Sequence, residues 1–300
     1  MIEPSGVILL NKPEGLTSHD CVNRMRRLFG TKKVGHTGTL DPMATGVLPI
    51  LIGRATKAAD LLVSDTKKYR AGLRLGVTTD TEDTTGAVLT STDKIPDCGK
   101  VFEVCREFVG EIMQIPPMYS ALKVDGQKLV DLARKGVSIE REARPITVFS
   151  LEAARGDSHS DYILDVHCSK GTYIRTLCAD IGAKLGCGGA MSSLCRTASG
   201  NFTIDSCTTL DALGEMSEDE RFSLLLPIES LFCDLPKIKL PPFFEKLSRD
   251  GNEIYQKKIG TSYHSGTRVS LFGADGFYAL GEVRDYPDGS AVKVIKLFSL

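Results

Sequence analysis

The sequence has no excess of charge of either sign. Its 37 Lys and Arg face 38 Asp and Glu, leaving a net charge of −1. That balance does not mark a polyanion binder in bulk, so any contact with nucleic acid has to come from a local basic face. No apolar run is long enough to cross a bilayer, which excludes a helical membrane span. The nine cysteines are an odd number and are scattered. They form no Cys-x-x-Cys and no Cys/His group with zinc spacing. No signal-peptide pattern opens the chain, so reduced thiols in a cytoplasmic protein are the expectation. No Gly-x-Gly-x-x-Gly follows a strand, which removes the dinucleotide-binding reading. Internal repeats of solenoid period and low-complexity segments are also missing.

What is present is ordinary globular composition, 42% apolar and 25% charged over 300 residues, room for one large domain and a small one. Chemistry concentrates in Gly35-His36-Thr37-Gly38-Thr39-Leu40-Asp41-Pro42-Met43-Ala44-Thr45-Gly46, which has neither alternation nor helical period. Pro42 pushes Asp41 out of the α region, and the nearby glycines allow close approach of the backbone. Two readings stay open on these residues alone. Asp41 either hydrogen-bonds its own turn, as most Asp-Pro pairs do, or is a carboxylate held out as a nucleophile.

Around it the pattern predicts alternating elements. Gly6–Leu10 reads as a buried strand. Thr17 or Ser18 caps a helix with Cys21, Val22, Met25, Leu28 and Phe29 on one face, Arg24, Arg26 and Arg27 on the other, and Gly30 at its end. Thr56–Leu62 and Val101–Val109 read as helices, and Tyr69–Leu75 alternates as a half-buried strand. The polar run Thr78–Gly86 clusters carboxylates but lacks the EF-hand order of ligands, so it reads as a turn. A short helix is expected over Lys128–Arg134. Strands follow over Ile146–Ala154 and Tyr162–Cys168, then a helix from about Thr172 to Leu185 closed by Gly186. After Leu235 the composition shifts. A short helix with Phe243, Phe244 and Leu247 precedes a hairpin turned at Gly273-Ala274-Asp275-Gly276 and a last strand over Val292–Phe298.

The phrase GHTGTLDPMATGVLP resembles the catalytic loop of the TruB family of tRNA pseudouridine synthases. VILLNKPEGLTSHDCV, IPPMYSALK, CSKGTYIRTL and Leu194-Cys195-Arg196-Thr197 resemble further motifs of that family. The likeness is close over residues 6–200 and looser beyond. It implies an α+β fold with a central, mainly antiparallel mixed sheet over 1–234, a basic thumb-like insertion at about 123–144, and a small PUA-like β-barrel over 235–300. It implies isomerisation of uridine 55 in the tRNA T-loop to pseudouridine, with Asp41 as nucleophile and without metal or organic cofactor. His36 would enter the T-loop, Tyr69 would stack on the target base, and Leu194 and Tyr173 would lie near it. Arg175 would pair with Asp41. Lys12 and Pro13 would neighbour the site. Where the family commonly has Arg, this chain has Cys195.

The resemblance further implies a monomer that acts on the T-arm of tRNA without a guide RNA. The loop reads MATGVLPI, unlike the KVTG form of the guide-dependent branch, and no long basic tail follows. A tRNA-folding chaperone without catalysis is the rival of another class. Intact Asp41 and Arg175 argue against chaperoning as the sole activity.

Overall fold

A computed structural model describes residues 4–61, 66–120, 122–124 and 126–299. In chain order its first half runs β1 (Gly6–Lys12), α1 (Ser18–Leu28), β2 (Val34–His36), β3 (Thr45–Ile52), β4 (Lys67–Leu75), β5 (Val77–Thr79), β6 (Val88–Ser91), α2 (Cys98–Arg106), β7 (Gly110–Gln114), β8 (Lys123–Val124), β9 (Gln127–Lys128) and α3 (Leu129–Ala133). Then come β10 (Arg144–Arg155), β11 (Asp161–Cys168), α4 (Ile174–Leu185), β12 (Gly189–Ser199), β13 (Phe202–Thr203), β14 (Thr208–Thr209), α5 (Leu210–Glu215) and α6 (Glu218–Ser223). The tail holds β15 (Lys237–Lys239), α7 (Pro242–Arg249), β16 (Ile254–Tyr255), α8 (Gln256–Ile259), β17 (Arg268–Gly273), β18 (Gly276–Tyr286) and β19 (Gly289–Leu297).

The large sheet has the order β14-β1-β3-β12-β4-β11-β10-β7, with β2 added to β3 and β13 to β12. Only β1 with β14 and β3 with β12 run parallel among its described pairs. The sheet is therefore mixed and mainly antiparallel, as expected. Strand β4 shows the cause locally. Lys67, Tyr69, Ala71, Leu73 and Leu75 are buried, and Lys68, Arg70 and Arg74 between them are exposed. Helices α1, α2 and α4 cover one face. Cys21, Val22 and Met25, then Val101, Val104 and Cys105, then Leu177, Cys178 and Ile181 join Ile8, Leu10, Ile50, Leu73 and Leu164 in one core. Each such aliphatic side chain stabilises the fold by roughly 1.5–3 kcal/mol when fully buried. The β1–β3 end is covered on its other face as well, by Leu226, Ile228 and Leu231 against Val7, Leu9 and Leu51.

The two halves of the sheet meet at a narrow seam. Strand β3 pairs with β12 only at Thr45↔Cys195 and Gly46↔Arg196. Gly46 has φ +101°, and a Cβ there would collide with the Arg196 carbonyl. The glycine is what lets the strands close at this point.

Several elements depart from the sequence expectations. The helix over Thr56–Leu62 is instead a 3-10 helix at Gly53–Ala58, and Leu62 lies outside the described residues. The helix expected over Val101–Val109 begins earlier, because Asp97 caps it through the Lys100 N–H at 3.1 Å. Lys128 belongs to a two-stranded hairpin and not to the helix that follows. The tail is a five-stranded sheet, β15-β17-β18-β19-β16, curled into a half-barrel. It packs on the first sheet's end through Phe232, Ala58, Leu280 and Phe298.

Candidate active site

The Asp41 loop is held from below by groups of β1 and α1. Lys12 is fully buried, and its ammonium donates to the carbonyls of Pro13 at 2.8 Å, Pro42 at 3.2 Å and Ala44 at 2.6 Å. Burial pushes this lysine below its usual range, against the opposite pull of Cys21 and Asp41. Ser18 opens α1 and brackets Leu40. Its hydroxyl donates to the Leu40 carbonyl at 3.1 Å and accepts from the Leu40 N–H at 2.8 Å. The Ala44 N–H donates to the Asp41 carbonyl at 3.0 Å, and the Gly15 N–H to the Pro42 carbonyl at 2.8 Å. Helix α1 is itself fixed by a capping box between Thr17 and Asp20. So little freedom is left to the backbone that carries Asp41.

Arg196 lies under the other limb of the loop. It is buried, and its guanidinium donates to Val47 at 2.7 Å and Gly38 at 3.2 Å, both carbonyls. His36 ends β2 just before. Burial, and secondarily the Arg196 charge, lower its proton affinity, so the imidazole is neutral near pH 7.

Across the site, α4 supplies Arg175 in its first turn. The backbone there is fixed by Gln114 at the end of β7. Its amide accepts from the Tyr173 N–H at 2.8 Å and donates to the Tyr173 carbonyl at 3.1 Å. The Arg175 side chain is 6% exposed, and its Nε meets the Asp41 carboxylate at 2.9 Å. Asp41 remains 36% exposed, so one side of the carboxylate is open to a ligand. The other guanidinium nitrogens donate to the carbonyls of Thr81 at 3.0 Å and Tyr119 at 2.7 Å. A second carboxylate, Asp83, stands 3.9 Å from the Arg175 Nε. A cation in the first turn opposes the helix dipole, and these two carboxylates offset that cost.

Tyr69 is on β4, 9% exposed, with Arg196 and Val166 as its partners across the sheet. Leu194 on β12 is in register with Ala71 and is buried on the same face. Tyr173 precedes α4, and burial raises its phenol above the usual tyrosine range. Asp41, Arg175 and Tyr173 are thus brought together where the Asp41 loop meets the start of α4. Tyr69 and Leu194 come from the strands beside the seam, and His36 lies on the limb of the loop that Arg196 supports. Cys195 is in register with Arg70, whose side chain is exposed on the opposite face, so position 195 turns away from the Leu194 side.

Sequence reasoning missed Asp83, Gln114, Ser18 and Arg196. Asp83 was inside the run Thr78–Gly86 read as a turn; Thr78 and Thr79 instead belong to β5, and the chain turns after them. The tertiary role of this turn is to bring a buried carboxylate and the Thr81 carbonyl to Arg175. Beside it, Glu82 is pushed above the usual carboxylate range by burial. Asp180, one helical turn beyond Thr176, is raised to about 6 by burial and by Glu82.

Comparison with known proteins gives a consistent picture. The family model for the N-terminal domain of TruB family pseudouridylate synthases matches residues 26–174, and that for the tRNA pseudouridylate synthase B C-terminal domain matches residues 175–232. The chain is 43% identical over 296 residues to a tRNA pseudouridine synthase B of Alkaliphilus oremlandii, covering 98% of both chains. It is 46% identical over 263 residues to that of Halalkalibacterium halodurans, covering 85% of this chain and 86% of that one. Among solved structures it resembles a chain of a Cbf5-Nop10-Gar1 complex, with a TM-score of 0.75 and 28% identity over 98% of this chain and 85% of that one.

Proposed function

This chain belongs to the TruB family of pseudouridylate synthases, and from that premise we propose that it converts uridine 55 in the T-loop of tRNA to pseudouridine, with Asp41 as the nucleophile. The observation that carries the reading is the Asp41–Arg175 pair. A partly open carboxylate on a clamped loop is held at 2.9 Å by an almost fully buried guanidinium. A nucleophile needs an accessible face and a fixed direction, and this pair supplies both.

The target uridine has to leave its stack to reach Asp41. Neutral His36 would enter the space the base vacates, and Tyr69 would take the base on its ring. Such stacking is worth ~1–3 kcal/mol per base. Asp41 then either attacks C1′ and displaces uracil as an anion, or removes the 2′ proton to start its elimination. The freed uracil rotates within the pocket and rejoins C1′ through C5. The C5 proton passes to a base, for which the Tyr69 phenol oxygen is the nearest candidate, and on to solvent, while N1 takes up one proton in exchange; in the elimination route Asp41 also returns to C2′ the proton it removed. Atoms and charge balance without an external oxidant or reductant.

Action on tRNA without a guide is supported by degree of likeness. Identity to the two tRNA pseudouridine synthases B described above is 43% and 46%, against 28% to the Cbf5 chain. The tail over 235–300 would add RNA affinity and no chemistry. The test is tritium release from C5-labelled uridine in a T-arm hairpin, with no other RNA present. Asp41→Asn keeps the volume of the side chain but cannot act as an anion. It should bind the hairpin like wild type and release no tritium. Normal release by Asp41→Asn ends the nucleophile assignment. Dependence of the wild-type protein on an added guide would end the guide-free reading.

A further inference from the structure

Arg175 takes two of its partners from one turn, the Thr81 carbonyl and the Asp83 carboxylate. The residue between them, Glu82, has φ +64°, the one positive φ outside glycine among the described residues. That conformation is unfavourable for a residue with a Cβ, and glycine would adopt it freely. Glutamate bears that backbone cost, and its side chain makes a contact that glycine could not. Its carboxylate accepts a hydrogen bond from the Thr176 hydroxyl at 2.5 Å. Thr176 is buried and directly follows Arg175 on α4. The Glu82 carbonyl also accepts from the Met191 N–H at 3.0 Å, and the Thr84 N–H donates to the Met191 carbonyl at 2.9 Å. Three consecutive turn residues thus grip two consecutive helix residues, with the turn tied in addition to β12.

Resting on the reading of Asp41 and Arg175 given above, we propose that Glu82 is a positioning residue for the reaction. Its hydrogen bond to Thr176 holds the Thr81–Asp83 turn against α4, so that the Arg175 guanidinium is aimed at Asp41. Without that link the Thr81 carbonyl and Asp83 can move away from Arg175, and the guanidinium loses the partners that oppose Asp41. The surroundings agree with a structural acceptor and not with a free acid. Arg175 and Arg141 face Glu82 as cations, Asp83 and Asp180 as acids, and burial raises its proton affinity. The residue needs an oxygen that accepts from Thr176, which a glutamine also provides.

The experiment measures the single-turnover rate of pseudouridine formation in a T-arm hairpin, with enzyme in excess, beside the hairpin Kd. Glu82→Gly removes the carboxylate and at the same time relieves the φ penalty, so loss of fold does not mimic the effect. It should slow the rate between about tenfold and a hundredfold, the scale of a small misplacement of a reacting group, with Kd within twofold of wild type. Glu82→Gln should recover most of the rate. Thr176→Val should match Glu82→Gly, and the double variant Glu82→Gly/Thr176→Val should lose nothing further. A wild-type rate for Glu82→Gly overturns the proposal. So does a Glu82→Gln variant as slow as Glu82→Gly, or a rate loss matched by an equal loss of affinity. Asp41→Asn in the same assay reports on the nucleophile alone. Product from that variant defeats the underlying reading whatever Glu82 does. No product from it, together with full speed from Glu82→Gly, defeats only the role of Glu82.

Discussion

Arg175 commits its guanidinium to four partners at once, two carboxylates and two carbonyls contributed by three separate segments. A lysine at this position keeps the charge and loses the planar fork. Arg175→Lys should therefore lower the single-turnover rate by roughly 10²-fold while hairpin affinity stays within a few-fold, since the fork and not the charge alone sets the direction of Asp41. Equal losses in rate and affinity would point to a binding role instead. Asp180 gives a second prediction at this scale. Its folded-state pKa of about 6 lies above the ordinary 3.8, so the native state holds the proton more tightly than the unfolded chain does. Stability from this group is complete below about pH 4 and is lost as pH rises through about 6. Asp180→Asn removes the penalty. Thermal unfolding should show a higher midpoint than wild type at pH 8 and little difference at pH 4. An offset that does not vary with pH would reject the account.

Among the elements, the short parallel contact between β3 and β12 decides whether the site exists. It consists of two residue pairs, one of them Gly46↔Arg196. Gly46→Ala combines a φ of +101° with a collision against the Arg196 backbone. A cost of roughly 2–4 kcal/mol is expected, measured by urea unfolding at unchanged slope. Activity should fall too, because the same Arg196 carries its guanidinium under the loop to Gly38 and Val47. A stability within error of wild type would show that the seam can relax. Helix α4 is the other decisive element. Its first turn is aligned by Gln114 from β7, at the far edge of the sheet order, so the helix start answers to a strand remote in sequence.

For the whole molecule, the tail and the large sheet share a hydrophobic contact. Phe232 precedes the tail and sits 5.8 Å from the Phe298 ring and 6.1 Å from the Phe277 ring, centroid to centroid. Lys57 donates to the Leu297 carbonyl at 3.0 Å, and Arg268 to the Leu61 carbonyl at 3.1 Å. Truncation at residue 234 would strip this cover from a buried phenylalanine, so it tests stability as well as RNA affinity. Calorimetry of the full chain should show one cooperative transition. Phe232→Ala should lower its midpoint without splitting it, at a cost of roughly 3–5 kcal/mol for an aromatic truncated inside a core. Two resolved transitions in the wild type would mean that the two sheets unfold independently.

The sequence by itself determined the elements whose signals are local. Strand β4 followed from alternation, α1 from a hydroxyl cap at Thr17 or Ser18 and its apolar face, the end of α4 from Gly186, and the β17–β18 turn from its glycines. These depend on period and backbone sterics, which act over a few residues. The motifs around Asp41 and Arg175 were also legible, together with the expectation that the two would pair. What only the tertiary structure decided is what holds that pair. Asp83 looked like any acid in a polar turn until the fold carried that turn to α4. Gln114 carried no local signal of its contact with Tyr173, and Arg196 stood inside a recognisable motif without any sign of the carbonyls it would meet. A buried guanidinium must have its hydrogen bonds satisfied wherever the chain can supply oxygens, and those oxygens come from residues dozens of positions away. No local pattern specifies such partners. They are selected by which segments the packed sheet and helices bring within hydrogen-bonding distance.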